Sequence, residues 1–199
     1  MKELDPKERL TIQLAEKTMA MAPVIVETKR LKTKVLGHTT RSKFFGGKLG
    51  SDQLGTAIGV RMNIRKPVLL DQFRFTISYS QIDTALFRLN ILKLKDGLPQ
   101  GSLLQENIYC RVGKRTGTYT IDLLPYEITA SDDIVMALEW IDGGSNRIRD
   151  YLVFSASPAN NGTYLKYASQ GKWKRFKGMG VGFHVTVRVL DEEEVVEKN

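Results

Sequence analysis

Short stretches in which apolar and polar residues alternate dominate this chain. From Phe73 to Tyr79 (Phe73-Arg74-Phe75-Thr76-Ile77-Ser78-Tyr79) every odd position is apolar, and Val181, Phe183, Val185, Val187 and Val189 repeat the pattern near the C-terminus. Phe87, Leu89 and Ile91 do the same, after which the phase slips by one, the mark of a bulge. A period of two sends one face of a strand into a core and the other into water. The pattern predicts strands at 9–14, 23–28, 56–64, 68–78, 85–94, 105–112, 117–123, 134–141, 151–156, 163–168 and 181–190. Turn signals fall between them: Asp96-Gly97, Thr116-Gly117, Asp142-Gly143, Asn160-Asn161-Gly162 and Gln170-Gly171. The single helix candidate is a turn at 124–126, limited by Pro125. Many brief strands at regular spacing predict an all-β fold, an antiparallel β-sandwich of jelly-roll type occupying 48–190. The aperiodic, Lys- and Gly-rich 29–47 reads as a basic linker, and 191–199 as an acidic tail.

Composition narrows the chemistry. At 199 residues the chain can bury one substantial core. No apolar run approaches the roughly 20 residues of a membrane helix, and the first ten residues lack the basic head and apolar run of a secretory signal. One cysteine, Cys110, forms no internal disulfide, and with only His38 and His184 beside it a cysteine- or histidine-based metal cage is excluded; no metal and no cofactor are expected. The net charge of +8 is unevenly spread. Between Glu27 and Asp52 there is no acid, whereas Lys29, Arg30, Lys32, Lys34, Arg41, Lys43 and Lys48 all fall there. Lys172, Lys174, Arg175 and Lys177 form a second cluster around Trp173 and Phe176. Basic residues interleaved with aromatics suit a polyanion, but no nucleic-acid reading element accompanies them, and solvated strand faces explain both clusters. Nucleic acid is therefore not the expected partner.

Catalytic arrangements fare no better. Cys110, within an alternating strand, reads as a buried inert thiol. His184 lies on the polar, outward phase of its strand and His38 in the basic linker. Asp132-Asp133 is ordinary turn chemistry rather than a paired-carboxylate site, and Asp71 or Asp83 joins no calcium-loop spacing. Gly46-Gly47-Lys48-Leu49 lacks the final Ser/Thr and the following helix of a phosphate loop. No catalytic residues are assigned. Aromatics of the C-terminal half are better candidates for binding: Trp173, flanked by Lys172 and Lys174, with Tyr164 and Tyr167, could offer platforms to sugar rings.

A series of motifs also bears a family likeness. Gly47-Lys48-Leu49-Gly50, Leu54-Gly55-Thr56, Phe87-Arg88-Leu89-Asn90, the run from Gln105 to Tyr109, Ile121-Asp122-Leu123 with Pro125-Tyr126, Asp132-Asp133, Leu138-Glu139-Trp140-Ile141, Phe154-Ser155, and the run from Ser169 to Trp173 occur in this order. Over about 36–189 the chain resembles the C-terminal β-sandwich of bacterial carboxypeptidase-like regulatory domain-containing proteins. The resemblance implies that 1–28, with Ile12-Gln13-Leu14 and Val24-Ile25-Val26, is a remnant of the preceding β domain, the chain looking like a member shortened at its N-terminus. It implies a cell-envelope location, periplasmic or at the outer surface. It carries over no peptidase residues, and it suggests that Glu139 beside Trp140 forms a buried hydrogen-bonding pair. The expected function is a non-enzymatic envelope module that binds a protein or glycan partner or holds an assembly together. The alternative is a carbohydrate-binding module using Trp173, Tyr164 and Tyr167, with Lys172 and Lys174 beside them. The oligomeric state stays open.

Overall fold

The computed structural model describes residues 31–50, 54–143 and 150–190. The strands expected at 9–14 and 23–28, the segment 1–28 and the tail 191–199 lie outside the described residues. Within them the chain forms strands β1 (Thr33–Gly37), β2 (Gly46–Gly50), β3 (Ala57–Met62), β4 (Val68–Ser80), β5 (Thr84–Lys95), β6 (Leu98–Ser102), β7 (Ile108–Gly113), β8 (Gly117–Asp122), β9 (Thr129–Ala130), β10 (Ile134–Gly143), β11 (Tyr151–Lys166), β12 (Lys174–Val181) and β13 (Phe183–Val189). One 3₁₀ turn, Leu124–Tyr126, stands where Pro125 limited the helix.

All pairings are antiparallel and build two layers. In the first, β1 joins β13 and β13 joins β4, whose opposite edge carries β8 and β9; the start of β11 extends this layer through β4 to β2. In the second, β6 and β7 share one edge of β5, followed in order by β10, β3, the end of β11 and β12. Because β11 belongs to both layers, hydrogen bonding is continuous through the whole sheet.

Alternation explains which side faces in. On β5, Ala85, Phe87, Leu89 and Ile91 are buried, and Arg88 and Asn90 point the other way. On β10, Ile134, Met136, Leu138 and Trp140 enter the core, which settles the orientation of Trp140; its Nε1 donates to the Asp142 carbonyl at 2.8 Å. An aromatic spine crosses between the layers: Phe154 lies 5.1 Å from Phe183, 5.9 Å from Phe75 and 5.9 Å from Phe87, which in turn contacts Trp140 at 5.3 Å. Such tilted and edge-on contacts are the favoured geometry for packed rings.

Four expectations need correction. Residues 29–47 are not simply a linker, because β1 and the start of β2 fall within them. β1 is an outer strand with Leu36 its only partly buried residue, so it shows no apolar period. β2 packs through glycines: a Cβ on Gly46 would meet Val153 Cγ1 at 2.1 Å, and one on Gly47 would meet Ile58 Cδ1 at 2.8 Å. Segments 151–156 and 163–168 are one strand, and Asn160-Asn161-Gly162 is a register irregularity within it, with Gly162 at φ +70°. His184 is 9% exposed rather than outward in water, since β1 pairs beside it with Gly37 opposite. Cys110 is only partly buried, at the margin of the core.

Candidate functional site

The outer face of the second layer carries a row of residues in direct register: Tyr109 on β7, Arg88 on β5, Glu139 on β10, Ala57 on β3 and Lys166 on β11. The adjacent row holds Asn90, Ala137, Gly59, Tyr164 and Arg175. Ala57 in the first row and Ala137 and Gly59 in the second are small. A Cβ on Gly59 would stand 2.6 Å from Ala137 Cβ, so this floor closes only with glycine there.

Over the floor lies a second, smaller apolar cluster of Val135, Ala137 and Tyr164, against which Leu94 and Trp173 pack. Tyr164 is fully buried, and its hydroxyl donates to the Gly97 carbonyl at 3.2 Å, tying the β5–β6 turn down onto the face. Tyr164 is therefore a strut inside the structure and not an exposed platform, a correction to the sequence reading. Alternation alone did not show this, because the β5–β6 turn that closes over it is remote in sequence.

Glu139 anchors the other side of the floor. Its Oε2 accepts from Arg88 Nη2 at 2.8 Å and Asn90 Nδ2 at 3.0 Å, and its Oε1 accepts from Ser169 Oγ at 3.0 Å, with Lys166 Nζ at 3.6 Å. Burial alone would raise its pKa, but these donors and Lys166 outweigh it and hold the carboxylate below its usual range. A saturated, ionised carboxylate is poorly suited to act as a general acid. Its visible work is to latch the β11–β12 loop through Ser169, helped by Lys166 Nζ donating to the Ser169 carbonyl at 3.1 Å and Thr56 Oγ1 to the Tyr167 carbonyl at 3.2 Å. Glu139 and Trp140 thus face opposite sides of β10 and do not pair. The sequence signal for the latch was present: polar Arg88 and Asn90 in the outward phase of β5, and a lone acid within the apolar run of β10.

The latched loop presents Trp173. Its half-buried ring packs on the small cluster, with Lys166 Nζ 5.5 Å from the ring centroid. Tyr167 is 53% exposed, with Lys174 Nζ 5.8 Å from its ring centre. Between this loop and the β5–β6 turn opens a cleft of about 390 Å³, lined by Trp173, Lys172, Leu98, Pro99, Lys95 and Asp96 among others. Trp173 and Lys172 thus share one cleft; Tyr167 and Lys174 lie on the neighbouring segments, and Tyr164 lies beneath. A larger cleft of about 790 Å³ is lined in part by Arg61, Lys93, Leu94 and Asp133. There Asp133 is committed to structure, accepting from Arg61 Nε at 2.7 Å and from the Ile64 backbone N–H at 2.6 Å. Among the described residues no group of His, Cys, Asp and Glu is placed to hold a metal ion.

The architecture is that of a two-layer antiparallel β domain whose outer face is roofed by loops around an aromatic-walled cleft. No protein-family model matches the sequence, and no curated protein matches it. Among solved structures, the fold is similar to that in the crystal structure of the cysteine protease and lectin-like domains of Cwp84, a surface layer associated protein of Clostridium difficile. The TM-score is 0.55 at 10% identity, over 79% of this chain and 36% of that one. It is also similar to a structure of the clostridial cysteine protease Cwp84 after propeptide cleavage, with TM-score 0.54 and 10% identity over 79% of this chain and 40% of that one. This chain spans well under half the length of those chains, and at such identity the likeness is one of fold.

Proposed function

We propose that this chain is a non-catalytic, envelope-associated binding module that takes a glycan in the cleft beside Trp173. The observation that carries the reading is the placement of Trp173. It is held by packing and by the Glu139–Ser169 latch, and it stands half-exposed on the wall of a cleft large enough for a sugar ring or two. A pyranose offers an apolar C–H face to such an indole, while Lys172, Lys95, Asp96 and Gln100 at the rim supply hydrogen-bonding groups for its hydroxyls. The lectin-like domain named in the Cwp84 structure supports the reading, since an all-β match accords with that part of the protein, and its surface-layer association supports the envelope placement.

The test is retention on affinity gels or a glycan array, with Trp173→Ala as the variant and circular dichroism as the control for folding. Binding by the parent chain that Trp173→Ala abolishes supports the proposal. Silence across the glycan panel, or binding indifferent to the substitution, overturns it.

A further inference from the structure

A second surface, on the other layer, lies in the connection between β1 and β2. Phe44 is 94% exposed and Phe45 54% exposed, the former the most exposed large apolar side chain among the described residues. The loop bearing them is built, not slack. The His38 N–H donates to the Phe183 carbonyl at 2.8 Å at one end, and the Ala156 N–H donates to the Phe45 carbonyl at 2.8 Å at the other. Between these anchors Ser42 Oγ accepts from the backbone N–H of Phe44 at 3.2 Å and of Phe45 at 3.4 Å, while Ser42 N–H donates to Thr40 Oγ1 at 3.3 Å. A loop tied at both ends and turned by its own serine thus thrusts a phenyl ring into solvent, where it loses the stabilisation that burial would give.

The loop and β2 carry one sign of charge: Arg41, Lys43 and Lys48 are exposed along them, and no acid occurs in the sequence from Thr28 to Ser51. Lys48 Nζ lies 3.9 Å from the centre of the Tyr151 ring, and Tyr151 contacts Tyr79 with ring centres 5.3 Å apart. The register Lys48–Val153–Tyr79 places these groups on one outer face, continuous through β2 with the loop. Apolar rings at the tip with cations and tyrosines behind them match the two layers a bilayer offers an approaching surface, hydrocarbon for the rings and an anionic headgroup interface for the cations and tyrosines.

We infer that the β1–β2 loop docks this protein onto an anionic lipid surface, with Phe44 and Phe45 entering the acyl boundary and Arg41, Lys43 and Lys48 meeting the headgroups. A polysaccharide could satisfy the cations and lay a C–H face against one ring, but it has no apolar phase for a phenyl ring that stands 94% exposed at a loop tip to enter. The inference is independent of the glycan cleft, which lies on the other layer.

Co-sedimentation of the full chain with vesicles tests it, comparing pure phosphatidylcholine with mixtures containing about 30% phosphatidylglycerol. The parent chain is expected to sediment with the anionic vesicles and not the neutral ones, and to be released by salt. The double substitution Phe44→Ser with Phe45→Ser should weaken partitioning by roughly tenfold or more, and Lys43→Glu should weaken it as well. Phe44→Trp should show an added blue shift of emission on anionic vesicles over the parent signal. Phe44 is almost wholly exposed and Phe45 half-exposed, so Phe44→Ser alone is run beside the double variant, with circular dichroism as the control for folding. Failure to sediment with anionic vesicles overturns the inference, as does partitioning unchanged by the double serine substitution. Equal binding to a soluble anionic polysaccharide, again indifferent to that substitution, also overturns it and assigns the cations to a polymer.

Discussion

Replacing Glu139 tests the latch on which the binding face depends. Its carboxylate is 1% exposed and receives Arg88, Asn90 and Ser169 as hydrogen-bond donors, with Lys166 nearby. Glu139→Gln keeps the shape and one acceptor oxygen, enough for Arg88 and Asn90, but turns an amide N–H₂ toward Lys166. Glu139→Ala leaves Arg88, Asn90 and Ser169 without this acceptor and Lys166 without its carboxylate counter-ion. A hydrogen bond to a charged group contributes roughly 1.5–3 kcal/mol, and removing one partner of a buried ion pair costs about 3–5 kcal/mol. Arg88 is one-third exposed, so water compensates part of its loss and the lower ends apply. The expected destabilisation is about 1–2 kcal/mol for Gln and about 3 kcal/mol for Ala. With about 2–4 °C per kcal/mol at this chain length, melting should fall by roughly 2–8 °C and 6–12 °C. Urea unfolding followed by tryptophan fluorescence would measure both. The sign with pH is fixed by the lowered pKa. The folded state binds the Glu139 proton less readily than the unfolded state, so the stabilisation is complete above the usual value of 4.5 and fades as pH falls through the lower folded value. The gap between parent and Gln variant should therefore hold from pH 7 to 5 and narrow at pH 3. An Ala variant within about 0.5 kcal/mol of the parent, or a gap indifferent to pH, would refute the reasoning.

Two further outcomes follow from buried positions. His38 and His184 each bury a ring nitrogen with no hydrogen-bond partner among the described residues, Nε2 and Nδ1 respectively. Burial lowers both pKa values, and for His184 Arg74 and Arg41 add to it against a hydrogen bond with the His38 backbone. Below the usual 6.5 the unfolded chain takes protons first, so melting temperature should drop as pH falls from 7 toward 5, and His184→Gln should flatten part of that slope. Gly59→Ala drives a methyl into Ala137 and the Met136 carbonyl and should cost about 1–3 kcal/mol by urea unfolding, whereas a neutral result would mean that β3 and β10 can separate to admit it.

The inward-facing sets of β4, β5 and β13 were legible because each strand there has a buried and a wetter face, so period two survives in the sequence; Tyr79 is the exception, turned outward by the register shift where β4 meets β11. β1 and β12 were not, since each has a pairing strand on one side only among the described residues and most of its side chains lie in solvent. The Lys and Arg residues of β12 look like a polyanion patch in one dimension; on an outer strand they also discourage edge-to-edge association. At the site, Trp173, Lys172 and Tyr167 could be singled out because local flanking predicts exposure. The fate of Tyr164 could not, because it depends on Gly97, sixty-seven positions away in sequence. The turn reading of Asn160-Asn161-Gly162 failed for a related reason: Gly162 supplies a positive φ, but long pairing on both flanks carries the strand through it.

The passage of β11 through both layers fixes more than the packing. Ala156 holds the loop that bears Phe44, and Lys166, ten residues on, stands under Trp173. Fully extended, a strand of that length spans at most roughly 30 Å, and the irregularity at 160–162 shortens it. If the lipid and glycan readings both hold, β11 acts as a ruler, setting a constant standoff between the bilayer and the captured sugar.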